Sequence, residues 1–205
     1  MTDAQGNTPL GRTRWRRFGV VALPSLLAAG TLMALTANGV IAASFSVSGS
    51  TFKVSADTLD GTGFEQFGSI DQDGKNPHPV AISVIGDATI HNLCQSVVTH
   101  TPIGDITLKI TAGTGSTPVE ATNLVLDVTQ LDADATFTNI EIGRDAGTLD
   151  KAGVKGPAGT FGQQADKVHL EKVRQQAWAT TAGTFKLNGL SLRLIPGSGS
   201  DKECF

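Results

Sequence analysis

The chain has 205 residues, with 16 lysine and arginine side chains against 19 aspartate and glutamate side chains. Four of the arginines lie near the N-terminus, and without residues 1–43 the chain keeps 12 basic and 18 acidic side chains. A nucleic acid partner requires clustered basic side chains that replace its counterions, and no such cluster follows Arg17. Composition therefore argues against nucleic acid binding.

The N-terminal segment has the pattern of an export signal. Four arginines precede residues 18–43, which carry no charge: Arg12, Arg14, Arg16 and Arg17. Such a basic cluster stays on the cytoplasmic side while the apolar run enters the bilayer. We expect residues 1–17 to form a basic cytoplasmic region and 18–43 a hydrophobic helix, either a cleaved signal peptide or a retained membrane anchor. Its internal Pro, Gly and Asn residues favour cleavage, and residues 44–205 are then extracytoplasmic, secreted or held in the cell envelope.

After the leader, apolar residues recur at every second position, which is the period of a β-strand. At least seven segments show this alternation: Phe45 and Val47; Phe52 and Val54; Ile82 and Val84; Ile106, Leu108 and Ile110; Leu124, Leu126 and Val128; Ile140 and Ile142; Leu190, Leu192 and Leu194. Residues 165–177 are ambiguous, because Val168 and Leu170 alternate like a strand whereas Ala165, Val168 and Lys172 could lie along a helix. The pattern predicts a mostly β protein with a single antiparallel domain, built as a rolled or curved sheet or as a sandwich.

Two stretches are predicted to connect strands. Residues 71–79 are polar and contain Pro77 and Pro79, which cannot continue a central strand, so we expect an exposed connection. Residues 146–164 are rich in glycine and form the longest weakly structured stretch after the leader. If a loop gates a cavity, this one is the first candidate.

Two short sequence echoes suggest repeated structural units. In the shorter one, Thr-Phe-Lys-Val at residues 51–54 returns as Thr-Phe-Lys-Leu at residues 184–187. The longer one spans seven residues. Residues 87–93 read Asp-Ala-Thr-Ile-His-Asn-Leu, and residues 134–140 read Asp-Ala-Thr-Phe-Thr-Asn-Ile. These echoes fit similar strand-turn-strand units that pack side by side.

The chain has two cysteines, Cys94 and Cys204. In an oxidising compartment we expect them to form a disulfide, with a catalytic cysteine as the alternative. In the simple chain-entropy model, closing a loop of this length stabilises the fold by about 4–5 kcal/mol.

No motif identifies a reaction. The Gly-x-Ser-x-Gly sequence of common serine hydrolases is absent, and Ser96 and His100 are weak catalytic candidates that share one face if they lie on a strand. The four histidines lack the spacing of a metal site, and no phosphate-binding or dinucleotide-binding motif occurs, so we expect no metal or cofactor. Trp178 is the one tryptophan after the leader, and it either packs in the core or lines an apolar ligand site.

Several segments together resemble an uncharacterised exported family of Streptomyces and related actinobacteria. They are residues 11–18, 43–49, 52–57, 59–64, 92–97 and 177–187. Members are often labelled cholesterol esterase, so the resemblance implies a secreted hydrolase of steryl esters, without assigning catalytic residues. The strand pattern is also similar, more loosely, to the β-grooves of bacterial lipid-carrying proteins. That similarity implies a concave apolar face, which removes lipid carbon from water at about 25 cal/mol per Å².

These observations lead to three functional expectations. The first is an envelope or secreted protein that binds lipid or sterol through an apolar sheet face, with an additional membrane contact through residues 18–43 if the leader is retained. The alternatives are the steryl ester hydrolase that the resemblance implies and a purely structural surface component.

Overall fold

The structure is a computed structural model, and it describes residues 50–73 and 76–205. The expected cytoplasmic region 1–17, the hydrophobic segment 18–43 and the strand around Phe45 and Val47 lie outside these residues. Within the described ranges, no helix is both long enough and apolar enough to cross a membrane.

The described residues fold into nine strands of one antiparallel sheet, which confirms the predicted fold class. The strands are β1 (Phe52–Asp73), β2 (Asn76–His91), β3 (Leu93–Thr101), β4 (Gly104–Ala112), β5 (Val119–Thr138), β6 (Glu141–Asp145), β7 (Phe161–Thr181), β8 (Thr184–Lys186) and β9 (Ser191–Pro196). One short 3-10 helix, Ala146–Thr148, follows β6. The ambiguous residues 165–177 belong to strand β7 and not to a helix.

The four long strands close into a ring. The sheet order is β6-β7-β5-β2-β1-β3-β4-β9, and β7 also pairs with β1, so that β1, β2, β5 and β7 each have two neighbours within this set. Strands β3, β4 and β9 continue the sheet outward from β1 and form what we call the extension. Of the two predicted architectures, the fold is therefore the rolled sheet.

Apolar side chains from the four ring strands fill the inside of the ring, together with Leu93 of β3 and Ala112 of β4. This main core contains seventeen buried residues: Ala56, Leu59, Phe64, Ile85, Ala88, Ile90, Leu93, Ala112, Val119, Ala121, Leu124, Leu126, Val128, Ala165, Val168, Leu170 and Val173. A second cluster, which we call the outer cluster, packs on the other face of the sheet and includes Phe67, Val84 and Leu149. Both faces of β2 are therefore buried at its centre.

The inward positions of the ring strands are not spaced by two throughout. Inward residues are three apart on either side of Asn123 in β5 and of Lys172 in β7, and both of these residues have a positive φ. One left-handed residue shifts the alternation by one position, so the strand returns its apolar side chains to the same face. Asn tolerates this conformation better than most residues, whereas lysine adopts it rarely.

The prediction that residues 71–79 form a loop is wrong, because residues 71–73 and 76–79 belong to strands. Strand β1 runs to Asp73 and β2 begins at Asn76, so Pro77 and Pro79 both lie in a strand and pair with Gln72 and Ile70. Prolines are tolerated there because the pairing of β2 with β5 ends at Ala81, which leaves this part of β2 with one neighbour only.

The glycine-rich segment 146–160 is a packed covering of the outer cluster. Ala146 and Leu149 are fully buried, and the carboxylate of Glu65 accepts hydrogen bonds from the backbone N–H groups of Ala152, Gly153 and Val154 at 2.7–3.3 Å. The last residues of the predicted stretch 146–164 are the start of β7. The internal cavity described below is lined by none of residues 146–160.

Candidate functional site

One face of the extension carries a continuous apolar surface, which we call the open face. Six residues form it: Val97 on β3, Ile106, Leu108 and Ile110 on β4, and Leu192 and Leu194 on β9. Residues paired directly across neighbouring strands share a face, and Leu108 pairs with both Val97 and Leu194. Leu192 is 57% exposed and Leu194 is 69% exposed. The six paired positions of β4 and β9 give this surface a length of about 20 Å.

The open face continues the inside of the ring. Leu93 and Ala112 pair across β3 and β4 and belong to the main core, and alternation along the same strands leads from them to Val97 and Ile110. A small cavity of about 30 Å³ lies at the boundary, and Gln95 of β3, which pairs with Ile110, is part of its wall. The sheet thus presents one apolar surface that is closed within the ring and exposed along the extension.

The opposite face of the extension is covered by residues 197–205. Thr107 Oγ1 donates to the carbonyl oxygen of Gly197 at 2.7 Å, and Lys109 Nζ donates to the carbonyl oxygen of Glu203 at 2.8 Å. The predicted disulfide between Cys94 and Cys204 is present on this face. The C-terminal segment therefore buries one side of the extension and leaves the apolar side uncovered.

Ser96 contributes to this attachment. It is 2% exposed, and its Oγ accepts the backbone N–H of Cys204 at 3.1 Å. His100, the other weak catalytic candidate, is bonded instead to Asp105, with 2.6 Å between Nδ1 and Oδ1. The two candidates are therefore engaged with different partners.

A serine, a histidine and an aspartate do meet nearby, but in an order that does not activate a nucleophile. Asp105 accepts a hydrogen bond from Ser198 Oγ at 2.6 Å through one oxygen and contacts His100 through the other. The hydrogen bond from Ser198, followed by that from His100, lowers the pKa of the Asp105 carboxyl. In a catalytic triad the imidazole lies between the hydroxyl and the carboxylate and takes the hydroxyl proton. Here the carboxylate is central, so the imidazole has no path to that proton.

Trp178 lies in the same region as these residues. A shallow depression of about 450 Å³ is lined by Ser96, His100 and Trp178 together with Lys53 and Glu203, whose side chains form a salt bridge of 2.9 Å. The structure thus brings the three predicted site residues to one depression, beside the C-terminal segment. Its lining is mixed in polarity and it is open to solvent.

The indole of Trp178 is half-buried and stacks on the imidazole of His78, with 4.1 Å between the ring centroids. Beside this pair, Asp127 is hydrogen-bonded to Asp71. Burial, then the charge of Asp71 and the hydrogen bond with it, raise the pKa of Asp127 to about 7. Two carboxyl groups in contact cannot both ionise without strong repulsion, so this pair holds one proton near neutral pH.

In residues 50–73 and 76–205, no three side chains of the metal-binding types are grouped closely enough to hold an ion. The polar groups of the internal cavity, Gln95, Gln175 and Thr180, were not found by sequence reasoning. Gln and Thr are common on strands, and only the register of β3 and β7 shows that these three face inward. The sequence shows the alternation of Ile106, Leu108 and Ile110 and that of Leu192 and Leu194. It does not show that this surface is left uncovered by the part of the chain that the structure describes.

Comparison with known proteins gives one match. The model of a family of unknown function (DUF6230) matches residues 48–205. No curated protein and no solved structure is significantly similar to the chain.

Proposed function

This chain belongs to the DUF6230 family, and we propose that it binds a lipid along the open face of the extension. The observation that carries the proposal is that inward-facing apolar positions of the ring continue as solvent-exposed leucines on β9. Uncovered apolar surface of this kind is costly in water, and soluble proteins keep it mainly where something binds. A linear acyl chain or a flat sterol could cover a surface about 20 Å long.

The lipid lies on the open face in this proposal and not inside the ring. The cavity of about 30 Å³ has room for a small polar group but not for a hydrocarbon chain. The open face, in contrast, requires no rearrangement of the core.

We propose further that the protein works outside the cytoplasmic membrane, secreted or in the cell envelope. The disulfide between Cys94 and Cys204 supports this, since such bonds persist mainly in oxidising compartments. The basic and apolar pattern of residues 1–43 agrees with export.

The binding proposal is tested with a double variant of the open face. We expect Leu192→Ser with Leu194→Ser to weaken binding of hexadecanol or cholesterol by at least about tenfold, because two large apolar contacts are lost. Bound lipid is measured by extraction of the repurified protein and mass spectrometry, and affinity by titration.

The matched control is Ile70→Ser with Ile142→Ser, which removes two apolar side chains of similar exposure, 68% and 66%, from other parts of the sheet. This variant should bind as the wild type does. Failure of the wild type to retain either lipid, or equal binding by both double variants, would refute the proposal.

The esterase activity that the sequence resemblance implies stays a separate proposal. A serine esterase needs a hydroxyl next to an imidazole, and within the described ranges the hydrogen bonds of His100 and His169 go to carboxylates. Turnover of a cholesteryl ester that survives purification and is lost in Ser96→Ala would favour the enzyme. The structural-component alternative predicts ordered self-association without lipid.

A further inference from the structure

The internal cavity at the boundary between the ring and the open face is lined mainly by apolar side chains, with three polar side chains among them. Nine of its described lining residues are apolar, among them Leu59, Leu126 and Phe185. The polar ones are Gln95, Gln175 and Thr180, so within residues 50–73 and 76–205 no ionisable side chain lines this space.

Thr180 supplies a hydroxyl that has no partner. It pairs with the buried Leu126, its Oγ1 is inaccessible to solvent, and this oxygen makes no hydrogen bond within the described residues. Burying a hydroxyl without a hydrogen bond is unfavourable, so an unbonded hydroxyl in a cavity is suited to receive a polar group of a ligand.

The other two polar residues bring neutral amides to the same space. Gln175 is 6% exposed, and Gln95 lies on β3 at the point where the inner surface becomes the open face. Amides and a hydroxyl can donate to and accept from an uncharged hydroxyl or ester. They offer no counter-charge to a carboxylate or a phosphate, whose burial without a partner is strongly unfavourable.

We infer that the cavity formed by Gln95, Gln175 and Thr180 receives the uncharged polar group of a lipid whose hydrocarbon part lies along the open face. The ligand class is therefore a long-chain alcohol, glyceride or similar neutral lipid, and not an ionised fatty acid or an anionic phospholipid. This inference rests on the proposed function and specifies its ligand. The cavity volume of about 30 Å³ suits a hydroxyl or ester group.

The test compares three probes with the same hydrocarbon chain: hexadecanol, hexadecanoate at pH 8 and hexadecyl phosphate, each titrated against the full chain. We expect hexadecanol to bind at least about tenfold more tightly than the two anions, because they would have to bury an unpaired charge. Thr180→Val should weaken hexadecanol binding by about three- to tenfold, which is the value of one hydrogen bond, and leave the anions unchanged. Thr180→Ser, which keeps the hydroxyl, should restore wild-type affinity.

The outcomes separate this inference from the proposed function. If none of the three probes binds, the proposed function fails. If all three bind equally and are weakened together by Leu192→Ser with Leu194→Ser, lipid binding stands and the neutral-ligand inference is overturned. A Thr180→Val protein that is folded by circular dichroism and keeps full preference for hexadecanol would also overturn it.

Discussion

Glu65 is a carboxylate with no solvent exposure, at a point where three backbone N–H groups converge. It lies on the outer face of β1 and pairs with Val84 and Gln164, both of which are also fully buried. The N–H groups belong to the part of segment 146–160 that follows the 3-10 helix, where the backbone lies in no helix or strand, so this side chain supplies acceptors that regular structure does not. A glycine-rich stretch that reads as mobile in sequence is thereby held in place.

Replacing Glu65 tests this role. Glu65→Ala should lower the free energy of unfolding by about 1–3 kcal/mol, because it removes the acceptor of three part-buried N–H donors. Glu65→Gln keeps one acceptor oxygen and should cost less. The measurement is urea unfolding followed by circular dichroism.

Glu171→Ala on the exposed face of β7 is the control, and it should change stability by less than about 0.5 kcal/mol. If Glu65→Ala were as stable as that control, the segment would be held by the packing of Leu149 and not by the carboxylate.

The sequence echoes have a structural counterpart at the same scale. Asn92 and Asn139 are the sixth residues of the two copies of the seven-residue echo, and both have a positive φ. Each donates from Nδ2 to an aspartate: Asn92 to Asp57 at 2.6 Å and Asn139 to Asp166 at 2.8 Å. In each case the residue ends one strand and starts the next. The echo therefore marks a repeated local device, a left-handed asparagine held by a neighbouring strand, and not a repeated domain.

At the scale of elements, the end of the β1–β2 hairpin is the part of the ring with the fewest partners. β1 pairs with β7 only up to Phe67, and β2 pairs with β5 only from Ala81, so residues 69–73 and 76–80 pair only with each other. Two contacts return this hairpin end to the sheet: the stacking of His78 on Trp178 and the carboxyl pair of Asp71 with Asp127.

We predict that this hairpin end loosens as the pH rises. The pKa of Asp127 is raised to about 7, first by burial and then by Asp71, so the closed arrangement favours the protonated form. A carboxyl group whose pKa is raised in the closed arrangement stabilises that arrangement fully when the pH is below the ordinary carboxyl pKa near 4. This stabilisation is lost as the pH rises through about 7. The groups around Asp127 are Asp71 on β1 and His78 on β2, which pairs with Asp71 and stacks on Trp178 of β7. In a Trp15→Phe background, Trp178 emission should shift to longer wavelength between pH 5.5 and 8.5.

Asp127→Asn removes one of the two charges and should abolish the pH dependence, with the hairpin end closed at both pH values. Asp132→Asn, on an exposed position of the same strand, should behave as the wild type. An emission maximum that stays constant from pH 5.5 to 8.5 in the wild type would contradict the prediction, and so would an unchanged shift in Asp127→Asn.

The same elements show how much of the fold the sequence could predict. Alternation identified β4, β5 and β9, where inward residues keep a spacing of two over most of the strand. It was ambiguous in β7, because Ala165, Val168 and Lys172 also have the spacing of a helix face, and in the structure Ala165 and Val168, three apart, both face the main core. The prolines of β2 suggested a loop, because proline is excluded from a strand with neighbours on both sides. The sequence does not show that this part of β2 has one neighbour only.

At the scale of the whole molecule, what matters is where the apolar surface closes and where it stays open. Closure depends on the pairing of β1 with β7, which are more than 100 residues apart at Phe52 and Ala177, and no local pattern encodes such a contact. The apolar residues of the future open face were visible in the sequence as ordinary strand alternation. An apolar strand face becomes core if its strand belongs to the ring and exposed surface if its strand belongs to the extension. Because the sequence does not show which strands close the ring, the candidate site was only partly predictable.

The disulfide joins Cys94 on β3 to Cys204, 110 residues later in the chain. It attaches the C-terminal segment to the covered face of the extension, where Lys53 also contacts it through Glu203 and the backbone oxygen of Phe205, at 2.9 Å each. Because three residue pairs between β3 and β1 make up the sheet pairing of the extension with the ring in the described residues, this attachment is a major constraint on its position.

We predict that the double variant Cys94→Ser with Cys204→Ser lowers the free energy of unfolding by up to about 4–5 kcal/mol. It should also accelerate amide exchange at position 204, whose backbone N–H is bonded to Ser96. The measurements are urea unfolding and hydrogen exchange by mass spectrometry. Reduction of the wild type with dithiothreitol should reproduce the loss, whereas the double variant should not respond to the reductant. A variant as stable as the oxidised wild type would mean that the hydrogen bonds of residues 197–205 hold the extension without the bond, and that its open face keeps its shape in a reducing compartment as well.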